Sequence, residues 1–438
     1  MAIFTKEEAK KIMEKALSFS TADTCTINMS GSESGNIRYA RNTVSTSGHR
    51  SNQSLQVESS YGKRTGTATI DEFDDASLEK VVKRSEELAK LSPENPEFME
   101  PLGPQSYDES INFVQSTADI SPEYRAEVAA TSIEPATTSD VTAAGFLNDR
   151  SGFSALLNSK GLFAYNQSTD VDFTVTMRSN DGTGSGWASA DFNDVNKFDA
   201  KATSDIAIKK AVMSKNARAI EPGKYTVILE PAAASDLLRN MFRAFNARTA
   251  DEGRSFMSKE GGGTKLGMQI VDERVNIWSD PLHPEIPGRT WDGEGLPVKK
   301  MKWIENGVVK NLRYDRYWAS QKGVEPTPGA FNFIMEGGDS SLEDLIKETR
   351  KGILVTRLWY IRSVDPQTLL YTGLTRDGTF YIENGRIKHP VKNFRFNESP
   401  IIMLNNLEKL GEQVRTNGSL VPYMKIRDFT FTSLSDAV

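Results

Sequence analysis

Cysteine and histidine are scarce here: 438 residues contain one cysteine and three histidines. The lone Cys25 excludes an internal disulfide and any zinc knuckle built from cysteines alone. His49, His283 and His389 lie far apart, and none has a second histidine three to five residues away. A helical pair of imidazole ligands is therefore absent. Long apolar runs are missing too. No stretch approaches the ~20 apolar residues that span a bilayer, and Lys6, Glu7 and Glu8 put charge where a signal peptide needs an apolar run. A membrane partner is not expected, and the cytoplasm is the expected location. Excess positive charge is the last absence. With 53 basic and 59 acidic residues the net charge is −6, which offers no field for a nucleic-acid backbone, so nucleic acid is not an expected partner.

What is present is a globular composition, 38% hydrophobic and 26% charged, in a chain too long for one ordinary core. Thr5 and Glu8 fit a capping box ahead of Ala9, Ile12, Met13, Ala16 and Leu17 at helical spacing. Residues 25–29, 36–47, 51–60 and 64–70 then read as a meander of strands punctuated by Gly31, Gly35, Gly48 and Gly62. A second helix is predicted over 75–91. Pro93, Pro96, Pro101 and Pro104 crowd one acidic stretch and resist both helix and sheet, giving a linker or a surface-hugging connection. Pro122 opens another helix, strands follow near 146–148, 154–165 and 169–178, and a long helix occupies about 197–216.

Beyond residue 220 the apolar run Tyr225-Thr-Val-Ile-Leu229 suits a buried strand, and Pro231 starts a helix with Leu237, Leu238, Met241, Phe242 and Phe245 on one face. Ile304-Glu-Asn-Gly307 and Ile382-Glu-Asn-Gly385 each predict a hairpin, because a type I′ turn needs positive φ at both central residues. The organisation expected is residues 1–92 as an N-terminal α/β portion, 93–120 as the connection, 121–220 as the remainder of that domain, and 221–438 as a β-rich C-terminal domain. The fold class is α+β. The N-terminal helix-and-strand domain would hold a mixed sheet, and the C-terminal domain an antiparallel, barrel-like sheet with helices.

Candidate chemistry is sparse. His49 follows Gly48 at an expected turn, His283 precedes Pro284 and His389 precedes Pro390, which suits ordinary surface or loop histidines better than metal ligands. Cys25 alternates within a strand like a small buried thiol. Gly253-Arg-Ser-Phe-Met257 lacks the closing glycine of a nucleophile elbow. Gly261-Gly-Gly-Thr-Lys265 lacks the end of a P-loop, and the glycines of 181–186 do not join a buried strand to a helix. Trp291-Asp-Gly-Glu-Gly-Leu-Pro297 sets two carboxylates, Asp292 and Glu294, on a tight turn. They either cap the turn's own amides or form the rim of a ligand groove. Tyr314, Asp315 and Arg316 form an aromatic, mixed-charge segment that suits an interface or a peptide groove.

Taken in order, Trp291–Pro297, Ile304–Gly307, Leu312–Arg316, Tyr381–Gly385 with Pro390 and Val391, and Pro422–Phe429 resemble the TldD/PmbA family. Its members carry the labels modulator of DNA gyrase and zinc peptidase. The similarity runs over about half of the chain, from Tyr225 to Phe429. It implies a bacterial system in which two related subunits pair to cleave peptides. TldD brings zinc on a His-Glu-x-x-x-His helix and a C-terminal cysteine, whereas TldE or PmbA keeps the fold without the metal. Here the corresponding helix, Ala234 to Asn246, holds no histidine and offers Arg239, Asn240 and Arg243. Arginine keeps its proton, and its charge opposes a divalent cation. No catalytic residue and no metal ligand are carried over, so zinc is expected only in a partner subunit. Asp292, Glu294, Tyr314, Asp315 and Arg316 remain as peptide-groove or interface candidates. The resemblance implies a non-catalytic subunit that completes a peptidase chamber with a TldD-like partner and holds an unstructured peptide. The alternative is a stand-alone peptide-binding or regulatory homodimer. Direct action on gyrase or DNA rests on the family label alone, and the acidic charge runs against it.

Overall fold

The computed structural model describes residues 3–329 and 332–435, which fold as α+β around two sheets. Helix α1 (Lys6–Leu17) begins with the expected capping box. Strands β1 (Thr24–Ala40), β2 (Thr43–Tyr61) and β3 (Arg64–Ile70) follow, then α2 (Asp75–Leu91). After the proline-rich connection come the single turn α3 (Gln115–Ala118), α4 (Pro122–Thr138), β4 (Val141–Asn158), β5 (Phe163–Ser179), β6 (Ser185–Phe192) and α5 (Ala200–Met213). The six strands form one sheet in the order β3-β2-β1-β4-β5-β6, antiparallel at every junction. Two cores line it. Met13, Ile27, Leu55, Val57 and Val82 join it to α1 and α2, and Tyr39, Leu147, Phe173, Val128 and Ala207 join it to α4 and α5.

The strands are longer than the glycine pattern predicts. Gly31, Gly35 and Gly48 lie inside β1 and β2, not at their ends, and the chain turns instead at Arg41 and Asn42, both with positive φ. Gly35 marks a close approach. A Cβ there would stand 1.8 Å from the Arg125 guanidinium, which is buried in a fork on Asp149.

The second sheet contains β7 (Gly223–Leu229), β8 (Ile277–Ser279), β9 (Met301–Glu305), β10 (Val308–Val309), β11 (Ile334–Met335), β12 (Lys351–Asp365), β13 (Leu370–Glu383), β14 (Arg386–Pro390), β15 (Phe394–Glu398), β16 (Leu407–Thr416) and β17 (Ser419–Leu434). Helices α6 (Pro231–Phe242), α7 (Ala247–Asp251), α8 (Arg316–Lys322), α9 (Leu342–Lys347) and α10 (Pro400–Asn405) are interspersed. Because β17 also pairs with β7, strands β7, β12, β13, β15 and β17 close into a ring. The barrel-like expectation therefore holds. The distribution of sheet types is the reverse of that expected. The first sheet is antiparallel, while this one is mixed, since β7 runs parallel to β12 and β11 parallel to β17. Positive φ appears at Asn306 and Gly307, Asn384 and Gly385, and also at Asn417 and Gly418. The two predicted hairpins form, and a third joins β16 to β17.

The connection hugs the surface of the second half. Arg248 grips Glu97 with two hydrogen bonds of 2.7 and 2.9 Å, Arg316 donates to the Glu100 carbonyl at 2.7 Å, and Tyr107 donates to that of Gly295 at 2.8 Å. A buried joint ties the two sheets directly. Asp377 accepts from Ser185 at 2.5 Å and pairs with Arg357 at 3.0 Å, and that guanidinium stands 4.6 Å from the Trp187 ring. Among the described residues no helix is long and apolar enough to cross a membrane.

Candidate functional site

Helix α6 defines the site. Pro231 fixes its first turn, and Ala233, Ala234, Leu237, Leu238 and Met241 bury one face against the ring of strands. Its other face carries Asp236, Arg239, Asn240 and, just past the end, Arg243. Burial pushes the Asp236 carboxyl up to about 6, and the charges of Arg239 and Arg357 pull against that shift. Arg239 donates to the Asn417 carbonyl in the β16–β17 turn.

Beside Arg239 lies a cavity of about 210 Å³, lined by Phe242, Phe245, Trp303, Arg313, Asn332, Phe333 and Ser419. Its rings touch one another. Phe242 lies 4.8 Å from Phe245, 5.5 Å from Phe333 and 6.3 Å from Trp303, centroid to centroid. The Trp303 N–H already donates to Ser279 at 3.0 Å, so the four rings present apolar surface beside the polar Arg239, Arg313, Asn332 and Ser419. Arg313 is held in the lining by its backbone, whose N–H donates to the Phe245 carbonyl at 2.7 Å and whose carbonyl accepts from the Ala247 N–H at 2.9 Å. Its side chain is exposed.

The five residues singled out in the sequence do come together, but at the joint with the proline-rich connection. One oxygen of Asp292 accepts from the amides of Glu294 and Leu296 at 3.0 Å, and the other from Gly329 at 3.2 Å. It caps its own turn. Glu294 is exposed beside the charge of Arg316. Asp315 caps α8 through the Trp318 amide at 2.7 Å, and Tyr314 packs against the C-terminal core. The pocket beside α6 is reached one residue earlier, by Arg313. Its four rings come from three separate segments, so no local pattern announces it.

The histidines are dispersed. His49 is exposed in mid-strand in β2, not at a turn. The ring of His283 accepts from the Glu285 amide at 3.2 Å, and His389 stacks on Tyr381 at 5.2 Å. Cys25 is buried, and its thiol is pushed up to about 11 by desolvation. A second cavity of about 210 Å³ is lined by Asp170, Asp172 and Asp191, with Arg415 pairing to Asp191 at 3.0 Å. Burial and the neighbouring carboxylates lift Asp172 to about 6. The alternation of Asp170 and Asp172 on one face of β5 was the available signal for this cluster.

The profiles of the PmbA/TldA metallopeptidase family match this chain in three consecutive parts: domain 1 over residues 25–89, the central domain over 100–215 and the C-terminal domain over 222–433. The chain belongs to the PmbA/TldD family. A metalloprotease of Methanothermobacter thermautotrophicus is 25% identical over 61% of this chain and 62% of its own length. Metalloprotease PmbA of Escherichia coli O157:H7 is 27% identical over 37% of each chain. Among solved structures, TldE of Thermococcus kodakarensis superposes with a TM-score of 0.88 at 21% identity, covering 97% of this chain and 99% of that one. A Thermotoga maritima MSB8 protein named as a candidate modulator of a DNA gyrase gives 0.87 at 18%, covering 97% and 100%. These likenesses establish the fold. The metal that the family name implies does not fit α6. Its outward side chains are two arginines, an asparagine and an aspartate already drawn to guanidinium groups. Among the described residues, no group of three His, Cys, Asp or Glu could hold a metal ion.

Proposed function

We propose that this PmbA/TldD-family chain is a non-catalytic, TldE-like subunit. It pairs with a TldD-like subunit that brings the zinc, completes a peptidase chamber and holds an unstructured peptide. The observation that carries this reading is the chemistry of α6. At the helix where the family resemblance puts zinc ligands, this chain presents Arg239 and Arg243 in place of histidines. Permanently protonated guanidinium groups repel a divalent cation and attract carboxylates. An aromatic cavity beside the same helix supplies apolar surface for a side chain. Asp292, Glu294, Tyr314, Asp315 and Arg316 belong in this reading to the rim where the partner or the peptide approaches.

The test is to purify the chain alone and together with the TldD-type relative from the same genome. Zinc is then measured, and cleavage of an unstructured peptide is followed. The expected result is stoichiometric zinc and chelator-sensitive cleavage by the pair, and neither by this chain alone. Zinc-dependent cleavage by the lone chain overturns the proposal. A stable homodimer that binds peptide and ignores the TldD-type relative replaces it with the stand-alone peptide-binding reading.

A further inference from the structure

The cavity beside α6 combines two features that a single ligand group must satisfy. Its lining joins the rings of Phe242, Phe245, Trp303 and Phe333 to the polar residues Arg239, Arg313, Asn332 and Ser419, and the Asn332 amide is already spent on the backbone of Asp280 and Ile286. At about 210 Å³ it is smaller than the roughly 300–1,000 Å³ of sites that enclose a drug-sized ligand. It suits one residue. With the Trp303 N–H already bonded to Ser279, the ring side of the cavity asks for an apolar group. Arg239 uses one donor on the Asn417 carbonyl and has four left. Asp236, one turn back on α6, acts on Arg239 but is shared with Arg357. Among the described residues the side chain of Arg313 has no hydrogen bond or ion pair, although its backbone is pinned on both sides.

We infer that this pocket receives the C-terminal residue of a peptide, with its apolar side chain among the four rings and its carboxylate on Arg239 and Arg313. The inference rests on the peptide-holding reading above and names the part of the peptide that is recognised. Only a terminal residue carries an apolar side chain and a carboxylate on the same α-carbon. An internal Asp or Glu spends its side chain on the carboxylate and leaves the rings unfilled. Two guanidinium forks against one carboxylate make the charge-assisted, geometrically selective contact that arginine favours.

The test measures binding of a fluorescent, unstructured peptide ending in Phe to the full chain, alone and with its TldD-type partner. Four peptides are compared: the free acid, its C-terminal amide, the free acid ending in Ser, and an amide with Asp in place of the final Phe. Amidation is expected to weaken binding by about 10-fold or more, the scale of a hydrogen bond to a charged group. The Phe-to-Ser change is expected to weaken binding as well, and the Asp amide should not recover it. Arg313→Gln should weaken the free acid by a similar factor and leave the amide unchanged, with the melting temperature unmoved because that side chain bonds nothing. Equal binding of acid and amide, or equal weakening of both by Arg313→Gln, overturns the inference while leaving peptide holding intact. If no peptide binds in either setting, both fall.

Discussion

Glu398 is a buried carboxyl whose titration should be felt in stability. It is 3% exposed, and burial lifts its carboxyl from an ordinary 4.5 to about 7 against the pull of the Thr430 and Ser399 amides and Lys224. Between those two values the folded state holds a proton that the unfolded state has released. The contribution of Glu398 to stability therefore falls as pH rises from about 4.5 to about 7 and is level above. The full drop is on the order of 3 kcal/mol, at ~1.4 kcal/mol per pH unit. Glu398→Gln should make that slope shallower and raise the urea midpoint at pH 8 relative to the parent. A mutant whose pH dependence still parallels the parent would refute this assignment. Residue identity alone carried part of the picture: the poor supply of histidine and cysteine, and the arginines on α6, are visible without coordinates. The titration of Glu398 is not, because it depends on how completely β15 is covered.

At the scale of elements, Gly35, Arg125 and Asp149 form one unit that couples β1, α4 and β4. The Arg125–Asp149 fork has side chains only 6% and 9% exposed, and it exists because Gly35 leaves room for the guanidinium. Removing one partner of a buried pair costs about 3–5 kcal/mol. Gly35→Ala and Arg125→Ala should each lower the urea midpoint substantially, and the double mutant should be little worse than either, since both remove the same interaction. Additive losses would show that the glycine serves some other purpose. The helices and the two Asn-Gly hairpins were legible because caps, 3.6-residue periodicity and turn chemistry are local. Asn417-Gly418 is not legible as a hairpin because Thr416 and Ser419 beside it give no apolar alternation. The long strands β1 and β2 were misdivided because a glycine that admits a neighbour looks in sequence like a glycine that turns the chain. His49 was displaced from turn to strand by the same misreading.

At the scale of the whole molecule, the α+β class and the barrel-like closure could be anticipated. The parallel pairing of β7 with β12 could not. It is set by residues more than 120 positions apart, and no local period records such a partner. The cavity beside α6 was hidden for the same reason. The closure also fixes an order of events. Strand β7, which begins the second half, finds its antiparallel partner only at Met424 to Phe431. A ribosome making this chain thus completes the first sheet, which ends at Phe192, long before the ring can shut. Until then the apolar side of α6 and the rings of Phe394 and Phe396 wait without their final cover. A chain stopped after Thr416 should keep a folded first half, protected from protease, and expose a second half that is cut readily and binds hydrophobic dyes. Equal protection of both halves would mean that the ring's last strand is dispensable. If the truncated chain behaves as expected, vulnerability during synthesis is confined to one half and lasts until the final strand is delivered.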